Sequence, residues 1–241
     1  MNWRRGLSYI LLKDGFKTDG CPICNLLVSG MYKNLFWLLY ENVNSVHIRK
    51  QLIESNGYCH THAWLLYQLE RKEWNDSLDV AIIYQDLIKK ATQALEKINL
   101  HERKTSIFNF VRKWKKHPNS TTDQELVTSE SSCPACIHQQ QMEDNNISSL
   151  IEALATPEFQ DLYRASDGLC LDHFWKTMNA AQDEEVKAFL LDIQRAKMHK
   201  LLELLAEYIY KHDYRFTNEP KGEEVNSPRW AVEMLVGKPI K

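Results

Sequence analysis

Cys21-Pro22-Ile23-Cys24 is followed downstream by Gly57-Tyr58-Cys59-His60-Thr61-His62-Ala63-Trp64. The same two phrases return as Cys133-Pro134-Ala135-Cys136 and Gly168-Leu169-Cys170-Leu171-Asp172-His173-Phe174-Trp175, and together they hold all 6 cysteines of the chain. The interval from Cys24 to Cys59 is 35 positions and that from Cys136 to Cys170 is 34, so the pattern is a duplication read from spacing. Two cysteines separated by two residues can close over one cation where the backbone turns. At the start of a helix, unpaired N–H groups and the positive end of the dipole favour their thiolate forms. The Cys-x-x-His phrases place a thiolate and an imidazole three residues apart, on one face of a first helical turn.

Three thiolates and one imidazole make a closed tetrahedral set for zinc. The spacing predicts two such sites, each within one copy: Cys21, Cys24, Cys59 and His62 in the first, Cys133, Cys136, Cys170 and His173 in the second. His62 is chosen over His60 because it aligns with His173, whereas His60 falls opposite Leu171. His138 is set aside because its counterpart is Leu26. Two zinc ions are the expected cofactors. An iron–sulfur cluster is the alternative, since Cys and His ligands can also hold one. A thioredoxin-like use of Cys-Pro-x-Cys needs a preceding strand and a βαβ context, and neither is legible.

The elements that must position these residues read as helices. Gly and Pro number only 8 and 7 in 241 residues, and long stretches are rich in Leu, Ala, Glu, Lys and Gln. The expected fold is all-α: two tandem repeats of about four helices, each carrying a Cys3His site. The first repeat spans 1–100, a basic and polar linker 101–132, and the second repeat with a tail helix 133–241. Pro22 and Pro134 suit the first turn of a helix, and Asn56-Gly57 suits a helix end. Asn75-Asp76-Ser77 is the expected cap of a long helix, and Ser227-Pro228 the expected start of the tail helix, with Trp230, Val232, Leu235 and Val236 on its apolar side.

Other features have plainer readings. Trp64 and Trp175, each two residues beyond a ligand histidine, are expected in the core. Asp172 could support a metal-bound imidazole but has no match at Thr61, which favours solvent exposure. Arg103 to Lys116 interleaves cations with Phe108, Phe110 and Trp114, and reads as a helix with a solvated basic face. A formal charge of −2 gives no global reason to expect nucleic acid or an anionic membrane as partner. No stretch reaches the roughly 20 apolar residues that span a bilayer. The apolar run after Arg4-Arg5 is too short for a signal core, and the expected location is cytoplasmic, where thiols stay reduced.

With these residues the chain resembles an uncharacterised bacterial and archaeal family, a domain of unknown function with duplicated Cys-Pro-x-Cys…Gly-x-Cys-x-x-His motifs. The resemblance extends to the tail, through Tyr214-Arg215-Phe216, Glu219-Pro220 and Trp230-Ala231-Val232-Glu233 with Val236-Gly237. It supports the ligand assignment and implies no activity. The expected role is a metal-stapled helical scaffold that binds a partner protein in a groove between the repeats, without catalysis. The rivals are an iron–sulfur or thiol redox protein, and a metal-dependent enzyme in which one histidine leaves to admit water. No phosphate-binding Gly-rich loop, His-Glu-x-x-His or nucleophile elbow accompanies the cysteines.

Overall fold

Helix-forming stretches separated by single glycines, prolines and short polar turns fold as the periodicity predicts. In the computed structural model, residues 3–96, 133–216 and 219–239 are described, and among them every regular element is helical. The helices are α1 (Trp3–Phe16), α2 (Pro22–Trp37), α3 (Val46–Glu54), α4 (His60–Trp74), α5 (Leu78–Glu96), α6 (Pro134–Leu154), α7 (Pro157–Ala165), α8 (Leu171–Ala180), α9 (Glu184–Lys211) and α10 (Ser227–Val236). A π-helical turn, Leu38–Asn42, continues α2, and a 3-10 turn, Glu223–Asn226, precedes α10. The basic aromatic stretch from Arg103 to Lys116 lies outside the described residues.

The chain forms two compact units. A terminal unit joins residues 1–31 to Gln139–Lys241, and a central unit comprises Tyr32–His138. Helix α2 begins in the terminal unit and ends in the central one, and α6 does the reverse.

In the terminal unit, Leu12, Ile23, Leu27, Leu150, Leu154, Phe159, Tyr163, Leu169, Phe174 and Leu190 form one buried cluster, to which Cys21, Cys24 and Cys170 belong. Tyr9 and Phe16 set their rings edge-on to Phe159, with centroids 5.1 and 6.5 Å away. Burial of such side chains, each worth about 1.5–3 kcal/mol, fixes α1 and α7 against the helices that carry the cysteines. The tail helix packs on α8 and α9.

That tail helix turns the other way from the expected one. Val232, Leu235 and Val236 are exposed, while Trp230, Ala231, Glu233 and Met234 are partly covered and Gly237 is buried. The packing against α8 and α9 selects the side that ends on Gly237 rather than the one richest in aliphatics. Ser227 does begin the helix, but its hydroxyl makes no cap and Asn226 is the N-cap residue.

In the central unit Leu35, Leu38, Leu39, Leu52, Leu66, Leu69 and Ile83 are buried. Helix α5 packs on both α3 and α4. Its start is held by a residue outside the expected Asn75-Asp76-Ser77 cap. Glu70, fully buried on α4, accepts hydrogen bonds from the backbone N–H of Asp79 at 2.8 Å and of Val80 at 2.9 Å. A carboxylate there satisfies two orphan donors and faces the positive end of the dipole. Asp76 instead accepts from the Ser77 N–H at 2.6 Å.

Candidate metal centres

All four cysteine phrases use one local device. The carbonyls of Cys21, Cys59, Cys133 and Cys170 accept the first i+4 helical bonds, from Asn25, Ala63, Ile137 and Phe174 at 2.8–3.1 Å. Each of these cysteines is therefore the N-cap of its helix, and the second ligand of each phrase (Cys24, His62, Cys136 or His173) stands at the third helical position. The prolines after Cys21 and Cys133 occupy the first position, where a missing N–H costs nothing. Each phrase thus aims two ligands from one helix start, and two starts with their positive ends make one centre.

The pairing differs from the within-copy expectation. In the terminal unit Cys21 and Cys24 meet Cys170 and His173, and in the central unit Cys133 and Cys136 meet Cys59 and His62. Each centre joins a Cys-x-x-Cys phrase to the Cys-x-x-His phrase that the spacing had assigned to the other copy. The reason lies in α2 and α6. A 16-residue helix is about 24 Å long, so α2 carries the chain out of the terminal unit before Cys59 is reached. Helix α6 carries it out of the central unit before Cys170.

In each centre the four ligand atoms lie within 4.8 Å of one another. In the terminal centre, His173 Nδ1 is 3.4 Å from Cys21 Sγ, 3.4 Å from Cys24 Sγ and 3.1 Å from Cys170 Sγ, and Cys24 and Cys170 sulfurs are 3.8 Å apart. In the central centre, His62 Nδ1 is 3.3 Å from Cys59 Sγ, 3.7 Å from Cys133 Sγ and 3.3 Å from Cys136 Sγ, with Cys59 and Cys136 sulfurs 3.6 Å apart. Tetrahedral zinc, with Zn–S about 2.3 Å and Zn–N about 2.05 Å, sets sulfur–sulfur edges of about 3.8 Å and sulfur–nitrogen edges of about 3.6 Å. Both sets fit a single ion of that size.

Seven of the eight ligand residues are buried, and Cys136 is half-buried. Without a cation such sets are electrostatically awkward. Burial raises the Cys21 thiol well above its usual range, assisted by Cys170 and Cys24, and burial likewise raises Cys136. Cys170 is driven far down by hydrogen bonds from Cys21 and Cys24. Burial opposes the charged form of His173, but its hydrogen bonds to Cys170, Cys24 and Glu143 prevail and lift it to about 11. Burial thus opposes the thiolate forms of Cys21 and Cys136, whereas a dication in each set would stabilise them.

The loops leading into the Cys-x-x-His phrases are pinned by lysines from long helices. Lys90 of α5 donates to Asn56 Oδ1 at 2.6 Å and to the Ile53 carbonyl, and Lys197 of α9 donates to the carbonyls of Arg164, at 2.9 Å, and Ser166. The glycine two residues before each cysteine makes this approach possible. Gly57 and Gly168 have φ of +92° and +84°, and a Cβ there would sit 2.7 Å from Leu87 Cδ1 or 2.8 Å from Lys197 Cδ. The motif glycine was legible, but the lysines were not.

The C-terminal segment closes the terminal centre. Gly237, at φ +76°, lies so near that an added Cβ would be 3.0 Å from Cys24 Sγ and 3.4 Å from Cys170 Sγ. Lys238 next to it donates to Asn25 Oδ1 at 2.9 Å and to the Asp19 carbonyl, over the turn that enters Cys21.

The remaining sequence candidates fall outside the ligand sets. His60 and His138 belong to neither. Trp64 and Trp175 are 54% and 58% exposed rather than core residues, because two residues along a helix turn a side chain about 200° from the buried histidine. Asp172 is exposed as expected and pairs with Lys176 at 2.7 Å. Glu143, Asp172 and His173 form a further cluster of possible ligands, but Lys176 Nζ lies 2.7 Å from both carboxylates and supplies the cation itself.

A relative from Caldicellulosiruptor sp. (strain Rt8B.4), described as an uncharacterized 23.9 kDa protein in the xynA 3' region, is 25% identical over 226 residues, covering 93% of this chain and 98% of that one. No solved structure matches the chain. A family model matches residues 4–241, and the chain belongs to that family, a family of unknown function designated DUF6062.

Proposed function

We propose that the protein is a zinc-stapled helical scaffold, with one structural zinc ion in each unit, that presents its surface to a partner protein. The observation that carries this reading is the pair of ligand sets, each offering three sulfurs and one imidazole nitrogen within 4.8 Å. Four protein ligands at that spacing fill a tetrahedral shell and leave no position for substrate or water. A multinuclear iron–sulfur cluster distributes its ligands over several irons and calls for wider separations, so a single ion is favoured. Six free thiols suit a reducing compartment, in keeping with a cytoplasmic location. No helix among the described residues is long and apolar enough to cross a membrane.

The partner-binding part of the reading rests on exposed aromatic surface in the central unit. Phe36 stacks with Tyr32, Tyr40 and Trp74, and Tyr40 and Trp37 remain 61% and 50% exposed. Elemental analysis of anaerobically purified protein tests the metal assignment. Two zinc ions per chain and a colourless solution are expected. Iron with inorganic sulfide would replace the reading with a redox one, and absence of bound metal would overturn it.

A further inference from the structure

Glu143 lies on α6, two helical turns beyond Cys136, and nothing in the cysteine motifs points to it. Its Oε1 is 2.9 Å from His173 Nε2, with both side chains almost fully buried. The opposite ring nitrogen, Nδ1, is the atom that faces Cys21, Cys24 and Cys170. Lys176 Nζ holds the same Glu143 oxygen at 2.7 Å and reaches Asp172 Oδ2 at 2.7 Å on its outer side. Asp172, Lys176, Glu143 and His173 thus form one chain of hydrogen bonds, running from solvent to the terminal centre.

We infer that Glu143 is the positioning residue of the terminal metal centre: it accepts the Nε2 proton of His173 and so leaves the Nδ1 lone pair directed at the metal. This rests on the zinc reading above. A neutral imidazole carries one proton on either nitrogen, and a buried carboxylate at Nε2 selects the tautomer able to coordinate through Nδ1. The contact also fixes the ring plane, which the i, i+3 spacing from Cys170 alone leaves free to rotate. Three thiolates on a dication leave one negative charge, and Glu143 adds another. Lys176, 2.7 Å from the same Glu143 oxygen, sets a positive charge beside it. The position matching Glu143 in the first repeat, seven residues beyond Cys24, is Met31, a buried apolar side chain. This arrangement is therefore not duplicated from that position, and removing Glu143 acts on one centre of the two.

The test uses the full-length chain loaded with zinc, and competition with a chromophoric chelator to measure each ion separately. Glu143→Ala is expected to weaken one ion about 10–100-fold and leave the other unchanged. Glu143→Gln keeps an acceptor oxygen of the same shape, and is expected to fall between wild type and Ala; it also keeps the test valid if the alanine variant folds poorly. Long-range ¹H–¹⁵N spectra of histidine-labelled wild type are expected to show His173 protonated at Nε2. A proton on Nδ1, or equal weakening of both ions, would overturn the inference. Two zinc ions unaffected by either substitution would sink it while leaving the zinc reading intact, whereas a wild-type protein that binds no metal would remove both.

Discussion

Single atoms decide how tightly the terminal centre is closed. Gly237 combines φ +76° with ψ −177°, a region essentially reserved for glycine, and brings its backbone against two ligand sulfurs. Gly237→Ala adds both backbone strain and a Cβ 3.0 Å from Cys24 Sγ. The expected cost is roughly 1–3 kcal/mol, from the strain alone. Chemical denaturation should show it as a lower midpoint, accompanied by faster loss of one zinc ion to chelator. The pairing of ligands is testable at the same scale. Cys21→Ser combined with Cys170→Ser should cost one ion, because both residues belong to one centre. Cys21→Ser combined with Cys59→Ser should cost two. The reverse pattern would restore the within-copy pairing that the repeat spacing suggests. Metal content by mass spectrometry of the intact protein reads all of these.

Helix starts are the working elements of this protein. Four of them carry the candidate ligands, and a fifth, that of α5, is satisfied by the buried carboxylate of Glu70. Glu70→Ala should leave the N–H groups of Asp79 and Val80 without their acceptor and reduce stability by about 1–3 kcal/mol. Urea denaturation should shift its midpoint with little change in slope, and the zinc content should stay at two. A drop in zinc content would mean that the start of α5 bears on the central centre more directly than its hydrogen bonds indicate. The lysines that pin the ligand loops act between elements in the same way. Lys90→Met would remove its hydrogen bonds to the Ile53 carbonyl and Asn56 Oδ1 and is expected to loosen the central centre, read as faster zinc exchange at one of the two ions.

At the scale of the whole molecule, the centres tie together segments far apart in sequence. The terminal centre joins residues separated by 152 positions, Cys21 and His173, and the central one joins residues separated by 74, His62 and Cys136. Metal binding in such closures is folding energy, because the unfolded chain cannot preassemble the four ligands. Complete chelation is expected to lower the thermal midpoint sharply and to expose apolar surface from the cluster that contains Cys21, Cys24 and Cys170. Calorimetry before and after chelation, followed by zinc restoration, measures this. An unchanged midpoint in verified metal-free protein would contradict a structural role for the ions.

By itself the sequence determined that the chain is helical, that eight particular residues are the candidate ligands, and that they group as two sets of three cysteines and one histidine. Those properties are local: glycine and proline placement, a three-residue interval at a helix start, and alignment of one copy with the other. The choice of His62 over His60 follows from the same alignment. Only the tertiary structure decided which phrases meet, because the two Cys-x-x-Cys phrases and the two Cys-x-x-His phrases are alike and nothing in their spacing distinguishes one pairing from the other. Helices α2 and α6 make that choice by carrying the chain from one unit to the other. Glu143, Lys90, Lys197, Glu70 and Gly237 likewise gain their roles through contacts between elements. As residues in a sequence they are ordinary helix or tail positions, and only packing turns a surface-type side chain into the partner of a buried histidine, a loop carbonyl or a helix start.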